Sequence, residues 1–184
     1  MKYKNISTTQ LVVTVFVVVS IVCGCYLIVS AFGGPSINEN ELYQVTQVQD
    51  GDTFKVKIGR HIETVRMLGI DTPETVDPRK PVQCYGKEAS EKTKSLLTGQ
   101  QVYLKLNPNR EEKDKYGRYL AYVFLGNTFV NELLLREGHA REYTFGTPYQ
   151  HQKEFRDIEK EEKKAAKGLW AACEAPEYKL PKAI

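Results

Sequence analysis

Three short clusters carry the side chains with chemistry to offer: Asp50-Gly51-Asp52-Thr53, Arg66 with Asp71-Thr72-Pro73-Glu74, and Asp114-Lys115-Tyr116-Gly117-Arg118. Asp52 and Asp71 supply hard anionic oxygens of the kind Ca²⁺ gathers, about six to eight at a time. Two carboxylates and a backbone carbonyl leave coordination positions for water and for a phosphate oxygen. Glu74, three residues after Asp71, is placed to orient such a water as nucleophile or to take its proton. Arg66 and Arg118 bring planar, two-pronged cations that match a phosphodiester and its more negative transition state. A metal, a water-activating carboxylate and two arginines are the parts phosphodiester hydrolysis requires. Acyl transfer has less support, because no Ser or Cys stands in a recognisable nucleophile motif. His61, His139 and His151 are scattered along the chain and read as structural or surface residues.

Each cluster alone has an ordinary reading. Asp-Gly-Asp commonly forms a turn. Asp-Thr-Pro-Glu can cap a helix and place Glu in its first turn. Lys-Tyr-Gly-Arg is usually solvated loop. Only the three together select the hydrolytic chemistry.

The elements that must position these side chains follow from period and punctuation. Short β-like runs cover residues 43–48, 53–58 and 62–70, with Gly59-Arg60 as a tight hairpin between the second and third. Thr72-Pro73 ends the third run, since Pro cannot donate to a ladder. Arg66 and Asp71 are an odd number of residues apart, so a regular strand would point them to opposite faces. Bringing them together requires the strand to end or bulge between them, and Gly69 is the place for it. Residues 77–81 read as a surface loop. A helix is expected over 86–97, with Ala89, Thr93, Leu96 and Leu97 on its inner face and Gly99 as its stop. Strands at 101–106 and 119–125 flank the charged loop 107–117. A short helix at 129–137 and a longer, highly charged one at 149–167 follow, the latter anchored by Phe155 and Ile158 and stopped by Gly168. Five strands with three helices predict an α+β domain closed as a β-barrel.

The first 34 residues differ from the rest. No charge occurs between Lys4 and Glu39, and residues 11–32 are almost wholly apolar. As a helix, that run would span about 33 Å, enough to cross a bilayer. Lys2 and Lys4 place its start in the cytoplasm and the domain outside. An uncleaved anchor and a cleaved signal segment, with Val29-Ser30-Ala31 as the cleavage site, both fit. The expected organisation is an anchor or signal over 1–34, a linker over 35–41 and a catalytic domain over 42–184, extracytoplasmic and membrane-anchored or secreted. The formal charge is +3, and without Lys2 and Lys4 there are 24 basic residues to 23 acidic ones. Net charge therefore makes no case for nucleic-acid binding; only a local patch could. Cys84 and Cys173 fall in the exported part, where two thiols can pair or remain free. The expectation tested below is a Cys84–Cys173 disulfide.

At these clusters the chain resembles the staphylococcal nuclease (thermonuclease) family, over residues 43–170. Beyond the three clusters, Val65-Arg66-Met67-Leu68, Tyr85-Gly86-Lys87-Glu88-Ala89, Leu120-Ala121-Tyr122, Val130-Asn131-Glu132 and Gly168-Leu169-Trp170 carry the likeness. The resemblance implies an OB-fold barrel of five strands with three helices, and Ca²⁺-dependent cleavage of DNA and RNA by a monomer. By position it implies Asp52, Asp71 and the Thr72 carbonyl as calcium ligands, and Arg66, Glu74 and Arg118 as catalytic residues. Lys115 and Tyr116 match positions beside the substrate phosphate, as does Tyr143, with Phe145 near a second aromatic position. A non-catalytic nucleic-acid-binding OB module is the alternative. It would have no need of the carboxylates that are all present here.

Overall fold

The computed structural model describes residues 14–22, 35–75, 81–108 and 110–173. The chain divides into two units, residues 1–35 and 36–184. In the first, residues 14–22 are helical (α1) and expose their side chains. Among the described residues, no helix is long and apolar enough to cross a membrane. Most of the predicted 11–32 span lies outside them.

The second unit is built on a curled sheet. Strands β1 (Tyr43–Val48), β2 (Thr53–Ile58) and β3 (His61–Met67) form a meander whose Gly59-Arg60 turn pairs Ile58 with His61. Helix α2 (Gly86–Leu97) follows a two-residue strand β4 (Ile70–Asp71). Strands β5 (Gln101–Leu106) and β6 (Tyr119–Leu125) complete the sheet, and parallel pairing of β6 with β3 closes it into a five-stranded barrel. Closure leaves neither of these strands as a free edge. This is the α+β barrel expected from the alternation of the sequence. The predicted 62–70 run is split into β3 and β4, and two further two-residue strands were not foreseen, β7 (Thr128–Phe129) and β8 (Arg141–Glu142).

Helix α3 (Val130–Arg136) packs against β6, and helix α4 (Gln152–Lys164) packs against α3. Phe155 and Ile158 are the buried residues of α4, as its charge pattern required. The helix is shorter than the predicted 149–167. It begins after Tyr149, which is buried, and ends before Ala166, whose φ of 48° is left-handed. A four-residue helix, α5 (Leu169–Ala172), is the last element among the described residues, with Leu169 buried. Inside the barrel, Phe54, Val56, Val65, Leu104 and Val123 are wholly inaccessible. Removing side chains of this size from water contributes about 1.5–3 kcal/mol each. That core holds the strand ends that carry the charged clusters.

Candidate active site

The barrel's β2 and β3 bring the first two clusters into contact. Thr53 pairs with Arg66 across the sheet, so Asp52 stands beside Arg66 at the start of β2. Strand β3 stops at Met67, and Gly69, at φ 80°, reverses the chain. This is the break that the odd Arg66–Asp71 spacing demanded, and only Gly takes that conformation without a steric cost. Asp71 then lies in β4, paired with Arg141 of β8. The turn is held from outside: the Tyr149 hydroxyl lies 3.1 Å from the Gly69 carbonyl, and the Tyr143 N–H donates to that same carbonyl at 3.0 Å.

The Arg66 guanidinium fills the turn it precedes. Nη1 donates to the carbonyls of Met67 (3.1 Å) and Ile70 (2.9 Å) and meets Asp52 Oδ2 at 3.1 Å. Nη2 meets Asp71 Oδ1 at 2.7 Å. The Asp52 carboxylate is itself heavily bonded. Its Oδ2 accepts the Thr72 N–H (2.7 Å) and hydroxyl (3.0 Å), and its Oδ1 accepts the Thr53 hydroxyl (3.0 Å). Thr72 comes this close because residue 51 is Gly: a Cβ there would lie 2.6 Å from Thr72 Oγ1. Helix α2 secures the same loop through Thr93, whose hydroxyl donates to the Gly51 carbonyl at 2.6 Å. Asp50 braces the turn by accepting the Asp52 and Thr53 N–H groups.

The electrostatics are lopsided. Asp50, Asp52, Asp71 and Glu74 all act on a region with one central cation. Burial pushes Asp71 up to about 7; the nearby Arg66 opposes this, while Asp52 and Glu74 add to it. Burial also pushes Asp50 up to about 7, reinforced by Asp52. Burial by itself would lower Arg66, but the charges of Asp52, Asp71 and Asp50 raise it, so it remains a cation. Tyr143 is raised by burial and by Asp71, which places its ring in the field of the same pair. A group of carboxylates that outnumbers the cations acting on it, Arg66 and Arg141, is suited to a hard divalent cation. Among the described residues no three His, Cys, Asp or Glu side chains are grouped to hold a metal. A cation here would therefore draw on two carboxylates, backbone carbonyl oxygen, water and substrate.

The third cluster is organised by one aspartate. Asp114 Oδ1 accepts the N–H groups of Tyr116 (2.9 Å) and Arg118 (3.0 Å), and Oδ2 accepts Arg118 Nε at 2.7 Å. The Arg118 guanidinium also lies 5.4 Å from the centre of the Tyr116 ring, and Lys115 Nζ lies 5.2 Å from it. Tyr116 is 72% exposed. Parallel register sets Arg66 beside Leu120, and Arg118 lies one residue before β6 begins. Each arginine has its own aspartate partners. The Tyr143 and Phe145 rings are stacked with centroids 6.5 Å apart, and Arg110 donates to the Phe145 carbonyl, linking this loop to the 107–118 loop. Glu74 lies three residues after Asp71: its N–H donates to Gln83 Oε1 at 2.8 Å, and its Oε1 accepts the Thr75 N–H at 2.9 Å. Cys84 and Cys173 are joined by a disulfide with Cα atoms 5.9 Å apart.

Asp114 and Asp50 were part of the clusters but had no assigned role. Their position two residues before a bonded N–H is the signature of an Asx turn and could have revealed it. Asn131 is the centre of the Val130-Asn131-Glu132 motif. Buried, it accepts the Val123 N–H and donates to the Leu68 carbonyl, tying α3 to β6 and to the end of β3. Tyr149 and Gln83 carried no local signal.

Comparison with known proteins gives a consistent result. A family model described as staphylococcal nuclease homologue matches residues 64–172. A thermonuclease of Staphylococcus hyicus is 46% identical over 135 residues, covering 73% of this chain and 79% of that protein. A thermonuclease of Staphylococcus intermedius is 45% identical over 130 residues, covering 71% and 76%. Endonuclease YncB of Bacillus subtilis (strain 168) is 39% identical over 139 residues, covering 74% of this chain and 65% of that protein.

Proposed function

The chain belongs to the staphylococcal nuclease family and is a nuclease, a hydrolase of phosphodiester bonds; from that premise we propose that it is a calcium-dependent endonuclease of DNA and RNA that works outside the cytoplasm. The observation that carries this reading is the Asp52–Arg66–Asp71 contact, a preorganised cation between two carboxylates. Asp52, Asp71 and the Thr72 carbonyl would hold Ca²⁺, whose oxygen-only donor preference matches this set. The bound ion would supply Lewis-acid polarisation and charge neutralisation at the phosphate.

The chain's own residues do the rest. Glu74 orients the attacking water and takes its proton. Arg66 and Arg118 bind the phosphate oxygens, with two-pronged contacts that strengthen as negative charge grows in the transition state. For Arg66 this means exchanging part of its carboxylate pairing for phosphate as substrate and cation arrive. Lys115 and the exposed Tyr116 meet the backbone and a base beside the scissile phosphate, and Tyr143 lines the other side.

Residues 1–34 would serve as an anchor or signal. The support is the charge-free run from residue 5 to residue 38 behind Lys2 and Lys4, and the separation of residues 1–35 as their own unit. The test is cleavage of plasmid DNA and of RNA with Ca²⁺, with Mg²⁺ and with excess chelator. Activity should appear with Ca²⁺, fall sharply with Mg²⁺, and vanish with chelator. Full activity in chelator would remove the calcium reading.

A further inference from the structure

Gln83 and Glu74 grip each other across a gap of nine residues in sequence. The Glu74 N–H donates to the Gln83 side-chain oxygen at 2.8 Å, and the Gln83 N–H donates to the Glu74 carbonyl at 3.0 Å. On its other side the Glu74 segment is tied by Thr72, whose N–H and hydroxyl reach Asp52. Beneath it lies Gly86, the first residue of α2. A Cβ on Gly86 would lie 2.9 Å from Thr75 Cγ2 and 3.1 Å from the Glu74 carbonyl oxygen, so the absence of a side chain lets the segment rest on the helix start.

Gln83 needs support of its own. Residues 81–83 belong to no strand or helix, and Val82 and Cys84 are exposed. Stretches with few buried contacts sample other positions readily. Two connections oppose that here. The Gln83 carbonyl accepts the Gly86 N–H at 3.0 Å, and the next residue, Cys84, is covalently joined to Cys173 at the end of α5. Leu169 of α5 is buried in the body, and its N–H donates to the Gly138 carbonyl at 2.8 Å. The tether therefore runs from a packed helix to the residue next to Gln83.

We propose that Gln83 is a positioning residue for Glu74, and that the Cys84–Cys173 disulfide holds Gln83 in reach of it. The inference rests on the reading of Glu74 as the residue that activates water. A group in that role must be held within a fraction of an ångström of its productive position, and small displacements cost rate far more than they cost binding. Gln83 supplies one neutral acceptor to the backbone of residue 74. Its loss would loosen Glu74 without altering the charge around the phosphate.

The test is steady-state cleavage of a defined oligonucleotide in Ca²⁺ by the full chain, with thermal unfolding measured alongside. Gln83→Met keeps the length of the side chain and removes the acceptor. It should lower kcat about tenfold with KM within about twofold of wild type. Gln83→Glu restores an acceptor oxygen and should recover most of the rate. Wild-type kcat in Gln83→Met, or equal losses in the Met and Glu variants, would overturn the positioning role. The Cys84→Ser/Cys173→Ser variant should also lose kcat at temperatures where it remains folded. Combined with Gln83→Met it should lose less than the product of the separate losses, because both act through Glu74. Wild-type kcat in the cysteine variant, or fully multiplicative losses, would remove the tether. Glu74→Gln separates the two levels. If it is inactive while Gln83→Met is unaffected, this inference alone fails; if it keeps full activity, the reading of Glu74 fails with it.

Discussion

The two arginines of the site stand in opposite surroundings. Arg66 lies in a strand, with its side chain 12% exposed, bonded to two carboxylates and two backbone carbonyls. Arg118 lies at the end of a loop, with its side chain 32% exposed, and pairs with one aspartate four residues away. Arg66 is held by both the fold and its own turn, because Asp52 reaches it from the start of β2 while Met67, Ile70 and Asp71 lie within five residues of it. Arg118 is held by its own loop, through Asp114. The domain thus carries one largely buried cation with several partners and one more exposed cation held by its own loop. A phosphate that must be both recognised and followed through a change of charge is served by that pairing.

The difference makes the largest effect on stability fall at Arg66. Arg66→Ala leaves Asp52 and Asp71 buried without their cation and should cost about 3–5 kcal/mol in denaturant unfolding, as well as abolish cleavage. A loss below about 1 kcal/mol would mean that the cluster is looser than its distances imply. Asp114→Ala comes next. It removes the acceptor of two loop N–H groups and of Arg118, and should cost about 1–2 kcal/mol with a several-fold fall in kcat. Asp114→Asn, which keeps one acceptor oxygen, should retain more of both.

Arg118→Lys should show the contrast most cleanly. Its ion pair is partly exposed, so unfolding free energy should change by less than about 1 kcal/mol. The rate should nevertheless fall about 10²–10³-fold, because lysine cannot bind the phosphate with two prongs. A rate close to wild type would remove Arg118 from the phosphate clamp. The smallest effect on stability belongs to Tyr116→Ala, at about ±0.5 kcal/mol for a side chain this exposed. If the ring stacks on a base, KM for single-stranded substrate should rise about tenfold while kcat holds. An unchanged KM would leave Tyr116 as a brace for Arg118 only.

Much of this site was legible before any coordinate. The odd interval between Arg66 and Asp71 demanded a break in the strand, and Gly69 was the residue able to provide it. Helix α2 begins and ends where its apolar spacing and Gly99 placed it. The end of α4 was less legible, because the helix stops at Lys164, ahead of the left-handed Ala166 and short of Gly168, whose place is set by packing. A Cβ on Gly168 would lie 2.4 Å from the Gly138 carbonyl oxygen, a contact between residues thirty apart. Gln83 was invisible for the same reason. A glutamine in a polar stretch has no periodicity, and its meaning depends on the backbone N–H it meets.

What the sequence by itself determined is therefore the inventory and the local geometry. Alternation defined the barrel strands, apolar spacing defined the helix faces, and five charged residues in order defined the chemistry. These features follow from forces acting within a few residues: side-chain period, the φ limits of Gly and Pro, and Asx turns. The tertiary structure alone decided which charges meet. It placed Asp52 on the same guanidinium as Asp71, set the Thr72 N–H and hydroxyl on Asp52, and joined Cys84 to Cys173 across 89 residues. Most of those contacts join segments distant in sequence, which meet through burial of the whole barrel core, a term no short segment carries on its own.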